Sequence, residues 1–204
     1  MIPGNMGEQE PRYILAHSSK ALVPRAKIIA IVRDPIRRLF SHFRLKCPSG
    51  TAHQFHRSVV IAVQEMKRRL VKRTRRSCLY DIEVNLTELE QKHRIGYIFL
   101  RASMYYIYIA DWLAVFPRDQ FLVIRAEDYC RNRSRILPDV YQFLGLRPVD
   151  PELLNNINRT IVNYRPSKRP MLNETRSLLN DFFRPFNAVL AELFNDSKFL
   201  WNIQ

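Results

Sequence analysis

Arg33 and Ser41, eight residues apart in AKIIAIVRDPIRRLFSHF (26–43), are the residues whose types and spacing bear most directly on chemistry. A guanidinium presents a planar fork of donors that matches phosphate oxygens, and a hydroxyl adds one more donor. The residues around them set the geometry. KIIAIVR, 27–33, is an apolar run ending on Arg33, the pattern of a strand buried on both faces of a parallel sheet. Asp34 is a good N-cap and Pro35 suits the first helical position. Ile36, Leu39, Phe40 and Phe43 then recur at helical spacing as a core face, which leaves Asp34, Arg37, Arg38 and Ser41 on the other side. Strand, turn and helix thus put Arg33 beyond the carboxyl end of a strand, where open α/β sheets bind ligands. The new helix adds free backbone N–H groups and a positive dipole end. The expectation is a phosphate-binding corner. A solvated helix face with a structural Arg–Asp pair accounts for the same residues.

The rest of the chain must position that corner. A helical pattern over 55–73 turns Phe55, Val59, Ala62, Val63, Met66 and Leu70 inward. It runs into MKRRLVKRTRR, 66–76, which carries seven cations and no acid. Residues 77–94 read as a loop and 95–116 as one long helix. QFLVIRAED, 120–128, reads as a second buried strand that ends on Arg125, Glu127 and Asp128. A helix over 133–144 closes at Gly145, and the last helix, 173–194, carries Pro185, where a kink is expected. Trp112, Phe182, Phe183 and Phe186 read as core. Alternating strands and helices imply α/β architecture with a parallel sheet flanked by helices. Only two strong strands are visible, few for such a sheet. No repeat or low-complexity linker divides residues 1–204, so a single domain is expected.

Composition narrows the partner. With 33 basic and 19 acidic side chains the formal net charge is +14, which calls for an anion: nucleic acid, anionic membrane, acidic polysaccharide or a phosphorylated small molecule. The apolar stretch 96–116 has spanning length, but Arg101 and Asp111 inside it favour a core helix. No signal peptide is recognisable at the N-terminus. Cys47, Cys78 and Cys130 lack zinc-ligand spacing, so no metal site is expected; a Cys47–Cys78 disulfide and three ordinary thiols both remain open. Five N-glycosylation triplets, at Asn85, Asn132, Asn158, Asn173 and Asn195, lean towards a lumenal or secreted protein.

IIAIVRDPIRRLFSHF resembles the 3′-phosphate-binding segment of sulfotransferases that use 3′-phosphoadenosine 5′-phosphosulfate (PAPS). In that family an Arg ends a strand, x-Pro follows, and a Ser comes eight residues after the Arg. MYYIYIADWLAVFPRDQFLVIRAEDY (104–129), VYQFLGL (140–146) and LNDFFRPFNAVLAELF (179–194) are similar to later parts of the same domain. The order of these segments points to the Golgi carbohydrate branch, most like enzymes that 6-O-sulfate N-acetylgalactosamine 4-sulfate in chondroitin, with heparan sulfate enzymes next. The resemblance implies a P-loop-like sulfotransferase fold. It implies sulfuryl transfer from PAPS to a glycosaminoglycan hydroxyl, of chondroitin or dermatan type. Arg33 and Ser41 would hold the 3′-phosphate. The loop with Asn163, Arg165, Lys168 and Arg169 resembles the family's basic loop, with Lys168 and Arg169 as cofactor contacts, although the glycine of its usual Lys-Gly-Arg is missing. The basic run 66–76 would face the sulfated polysaccharide. Location would be the Golgi lumen, in a type II membrane protein whose anchor these residues do not include.

One departure stands out. The family holds the 5′-phosphosulfate with a Gly/Thr-rich loop and a Lys, and no Lys-x-Gly-Thr-Thr-like element occurs among the 204 residues, which contain only five glycines. The chain therefore reads as a sulfotransferase domain incomplete at its N-terminus. Glu8, Glu10 and His17 carry groups able to act as a base, and their spacing selects none. A non-catalytic binder of polyanions, whether polysaccharide or nucleic acid, is the alternative. Neither a helix-turn-helix nor an RRM-type signature supports the nucleic-acid version.

Overall fold

The Arg-Asp-Pro turn sits at the carboxyl end of a short parallel ladder. A computed structural model describes residues 11–80, 100–150 and 170–201, together with 152, 154 and 156. The chain starts with α1 (Pro11–Leu22) and enters β1 (Ile28–Val32). It then forms α2 (Pro35–Lys46), α3 (Ala52–Lys72) and α4 (Arg75–Tyr80). After 100 come α5 (Tyr105–Leu113), a 3-10 turn (Arg118–Gln120), β2 (Phe121–Arg125), α6 (Ala126–Arg131) and α7 (Arg133–Leu144). The long α8 (Asn173–Phe194) and a 3-10 turn (Ser197–Leu200) finish it. Among the described residues the sheet has two strands, paired in parallel from Ile28↔Phe121 to Val32↔Arg125. This is the expected α/β arrangement.

Two apolar clusters share α8. The first joins Leu39 and Phe43 of α2, Phe55 to Met66 of α3, Leu79 of α4 and Phe182, Phe183 and Phe186 of α8. The second packs Val32, Phe121 and Ile109 against Leu190, Phe199 and Trp201. A 22-residue helix reaches about 33 Å at 1.5 Å per residue, enough to serve both. It runs unbroken through Pro185 as well. Helix starts follow local chemistry. Thr51 and Gln54 form a reciprocal capping box on α3: Gln54 N–H donates to the Thr51 hydroxyl (3.1 Å), and Thr51 N–H to the Gln54 amide oxygen (2.8 Å). Gly145 ends α7 at φ 73°, the left-handed cap its position predicts.

Several expectations need correction. β1 is buried on one face only: Ile28, Ala30 and Val32 face the second cluster, while Ile29 and Ile31 are exposed, Ile31 by 62%. No described element covers that side. The helix expected over 95–116 is interrupted: helix at Leu100 and Arg101 gives way to a turn, and α5 begins only at Tyr105. Its residues before 100 lie outside the described set. Buried Ser103 anchors the break, because its hydroxyl accepts from Arg38 Nε at 2.7 Å. The expected loop 77–94 starts with helix α4 up to Tyr80, and its remainder lies outside the described residues. Arg101 and Asp111, the charges that argued against a membrane span, dock α4. Arg101 donates to the Leu79 carbonyl, while Asp111 accepts from Arg76 and from the Tyr80 hydroxyl. None of the described helices is long and apolar enough to cross a membrane. β2 ends at Arg125, so Glu127 and Asp128 open α6 where their charge suits the helix dipole. The cysteines are free thiols, Cys78 buried and Cys130 exposed.

Phe183 has no exposed surface and stands where α8 meets the first cluster. Phe183→Ala should lower unfolding stability by about 3–5 kcal/mol, the combined transfer and cavity loss. Urea unfolding with an unchanged m-value checks this. A loss under about 1 kcal/mol would mean that α8 does not tie the core together.

Candidate functional site

Parallel pairing in register brings the exits of both strands side by side. Val32 lies opposite Arg125, so the Arg33–Asp34 turn sits against the first turn of α6. Arg33 is exposed at the end of β1 and Ser41 is exposed on α2. Among the described residues neither side chain has a protein partner. Ser41 is six residues beyond Pro35, about 9 Å along the helix axis at 1.5 Å per residue. Arg37 shares its i, i+4 row, and both face solvent.

Asp34 is the organising group. It is 2% exposed, and its Oδ1 accepts from Ile36 N–H (2.8 Å) and Arg37 N–H (3.3 Å), so it is the N-cap that its position predicts. Its other oxygen, Oδ2, lies 3.5 Å from Arg37 Nε, closing no hydrogen bond. Asp34 thus pairs with Arg37 and, among the described residues, not with Arg33. Burial, the largest effect, pushes the Asp34 carboxyl above its ordinary value; the two amide hydrogen bonds and Arg37 act against this, and nearby Glu127 adds to it.

The capping corrects one expectation. The first backbone donors of α2 are not free for an anion. Ile36 and Arg37 N–H groups go to Asp34 Oδ1, Arg38 N–H goes to the Asp34 carbonyl (2.9 Å), and Pro35 has none. An anion at this corner would have to be met by side chains. Arg38 is not a candidate either, since it is half-buried and tied to Ser103.

Other expected sites fare unevenly. Lys168 and Arg169 lie outside the described residues, as do Asn163 and Arg165. So do Glu8 and Glu10, while His17 is exposed on α1. In the basic run, Arg68 and Arg69 both donate to buried Glu65, and Arg76 pairs with Asp111. Arg75 stacks over the Phe186 ring at 5.6 Å. Lys67, Lys72 and Arg73 extend from the exposed side. The run is therefore part fastening and part surface.

Three residues near the corner carried little signal in sequence. Asp34 N–H donates to Glu127 Oε1 at 2.8 Å, and Trp201 Nε1 donates to Glu127 Oε2 at 3.3 Å. The Tyr105 ring packs on Trp201 at 6.1 Å; its buried hydroxyl closes no hydrogen bond among the described residues, and burial holds its pKa above the ordinary value. A cavity of about 270 Å³ beside β1 has only aliphatic and aromatic walls, Tyr105 and Trp112 among them, and so offers an anion no counter-charge.

A family model described as the sulfotransferase domain matches residues 6–185. The chain belongs to the sulfotransferase domain family. It is 32% identical over 203 residues to human carbohydrate sulfotransferase 15, a match covering 97% of this chain and 35% of that protein. The rat enzyme of the same name matches equally. Mouse bifunctional heparan sulfate N-deacetylase/N-sulfotransferase 4 is 24% identical over 192 residues, covering 85% of this chain and 20% of that one. The chain thus spans about a third of the length of the carbohydrate sulfotransferases it matches. A crystal structure of a sulfotransferase from Alicyclobacillus acidocaldarius superposes with a TM-score of 0.52 at 23% identity, over 89% of this chain and 60% of the other. That likeness shows the α/β sulfotransferase fold.

In this sulfotransferase domain the buried Asp34 charge gives a directional pH test. Its folded pKa is raised above the ordinary 3.8, so its contribution to stability is fully present below that value and is lost as pH rises through the folded value. Asp34→Asn keeps an acceptor for the helix amides and cannot ionise. Its stability relative to wild type should be more favourable at about pH 7 than at about pH 4, measured by urea unfolding at both. The opposite trend would show that the charged form is the one the fold favours.

Proposed function

We propose that this sulfotransferase domain binds PAPS and takes part in moving its sulfuryl group to a hydroxyl of a glycosaminoglycan, of chondroitin or dermatan type. The observation that carries the reading is the free Arg33 guanidinium at the carboxyl end of β1, within a chain whose residues 6–185 match the family. The acceptor class is taken from the relatives named carbohydrate sulfotransferase, at 32% identity over nearly the whole chain. On the same ground the setting is the Golgi lumen and the 204 residues form one, partial sulfotransferase domain.

Roles follow from chemistry. Arg33 meets the 3′-phosphate with paired N–H donors, and Ser41 adds its hydroxyl. The 3′-phosphate takes no part in bond exchange, so the corner is a positioning handle: it fixes the nucleotide so that the sulfur faces the acceptor. Lys168 and Arg169 are the proposed further contacts. Bound PAPS supplies an activated sulfur; the acceptor oxygen bonds to it as the bond to the 5′-phosphate oxygen breaks, and the hydroxyl proton passes to a base. None of the described groups is assigned as that base. The outward cations Lys67, Lys72 and Arg73 suit a polyanionic acceptor, which dispersed charge attracts without fixed geometry.

Titration calorimetry of the 204-residue chain with adenosine 3′,5′-bisphosphate tests the reading. Saturable binding is expected, weakened about tenfold or more by Arg33→Ala and less by Ser41→Ala, in line with a lost charge-assisted and a lost neutral hydrogen bond. Sulfate transfer by this chain alone should be negligible, because it contains no phosphosulfate-loop motif. Binding of heparin or long polynucleotides without any nucleotide effect would instead mark a polyanion binder. Robust turnover would mean that the reacting groups have been misplaced.

A further inference from the structure

The Arg33–Asp34 turn is held from outside its own strand and helix. Its Asp34 N–H donates to Glu127 Oε1 at 2.8 Å. The second oxygen of the same carboxylate receives the Trp201 indole N–H at 3.3 Å. Glu127 opens α6 and Trp201 follows the last 3-10 turn, so three distant parts of the chain meet on one carboxylate. Trp201 is 8% exposed and is fixed on several sides: edge-on to Phe199 at 5.7 Å, tilted against Tyr105 at 6.1 Å, with the Arg125 guanidinium over it at 5.7 Å. Its backbone lies at φ 46°, a left-handed conformation that a bulky residue adopts only when its surroundings insist.

This tail lies beyond residue 185, where the match to the family model stops. A segment that served only to finish the core would need no hydrogen bond to the carboxylate holding the turn. We infer that Glu127 and Trp201 form a positioning clasp that sets the Arg33–Asp34 turn, so that nucleotide affinity depends on the C-terminal tail. The inference rests on the nucleotide reading of the corner. The physical reason is that phosphate recognition by a single fork of donors is geometric. Among the described residues Arg33 has no side-chain partner, so the direction of its guanidinium is set by the backbone from which it leaves. The backbone there is fixed by the Asp34 cap on one side and by Glu127 on the other. Without the indole donor, the carboxylate has a second acceptor to satisfy with water and can turn away from Asp34.

Calorimetry with adenosine 3′,5′-bisphosphate on Glu127→Ala, Trp201→Phe and the double variant tests the clasp, with Arg33→Ala as the control for the site and Val63→Ala, in the other core cluster, as the control for stability. Glu127→Ala and Trp201→Phe should each weaken binding about tenfold, and the double variant no more than the worse single one, because both cut the same connection. Glu127→Gln, which keeps an acceptor for Asp34 but offers an amide donor to the indole, should fall between. Val63→Ala should lower the melting temperature while leaving affinity within about twofold of wild type, so lost stability alone does not imitate the effect. In a Trp112→Phe background Trp201 is the remaining tryptophan of the two, and its emission should shift on nucleotide addition with the calorimetric Kd. If Arg33→Ala loses binding while Glu127→Ala and Trp201→Phe keep wild-type affinity, the clasp is wrong and the nucleotide site stands. If wild type binds no nucleotide, the site reading fails and the clasp falls with it.

Discussion

A carboxylate with almost no exposed surface decides how the chain leaves its first strand. Asp34 satisfies two of the amides that every helix start leaves open, and Pro35 removes the need for a third. Its own amide needs a partner in turn and finds Glu127. Arginine, turn and helix therefore have one geometry. Burying that charge has an electrostatic penalty, visible in the raised Asp34 pKa. The structure accepts the penalty at the turn proposed to meet a phosphate in a defined direction, a common place for such conflicts.

The same capping changes where positive potential comes from. A helix N-terminus with open amides binds anions through its backbone. Here the amides are turned onto an internal acid, so the proposed phosphate contact falls to the side chains of Arg33 and Ser41, and the dipole of α2 is partly answered from within. Elsewhere too, apparent surplus charge is internal structure: Glu65 gathers Arg68 and Arg69, and Asp111 gathers Arg76. The seven cations of the 66–76 run therefore overstate the charge that this segment offers at the surface.

Sequence reading worked where the signal was local. The cap at Asp34, the helix face of Ile36, Leu39 and Phe43, the left-handed stop at Gly145 and the span of α8 all depend on neighbours within a few residues. It worked less well where distant groups intervene. The break at Ser103 comes from Arg38, 65 residues away in sequence. The end of β2 is set by Glu127 being wanted by Asp34, 93 residues earlier. Trp201 gave no hint, because a lone aromatic near a terminus looks like filler for the core. The apolar run of β1 has the pattern of a doubly buried strand, since the side chains of Ile29 and Ile31 look the same in sequence whether covered or bare.

That bare side shapes how the molecule behaves in a test tube. The exposed side chains of Leu22, Val23 and Ile31 put an oily margin on a body whose net charge of +14 repels its own copies. Added electrolyte shortens the range of the repulsion, to about 3 Å at molar strength, and leaves the oily margin untouched. Colloidal stability in this chain is thus a contest between a long-range term that salt weakens and a short-range one that it does not, and dilute, low-salt buffers tip that contest towards single molecules in solution.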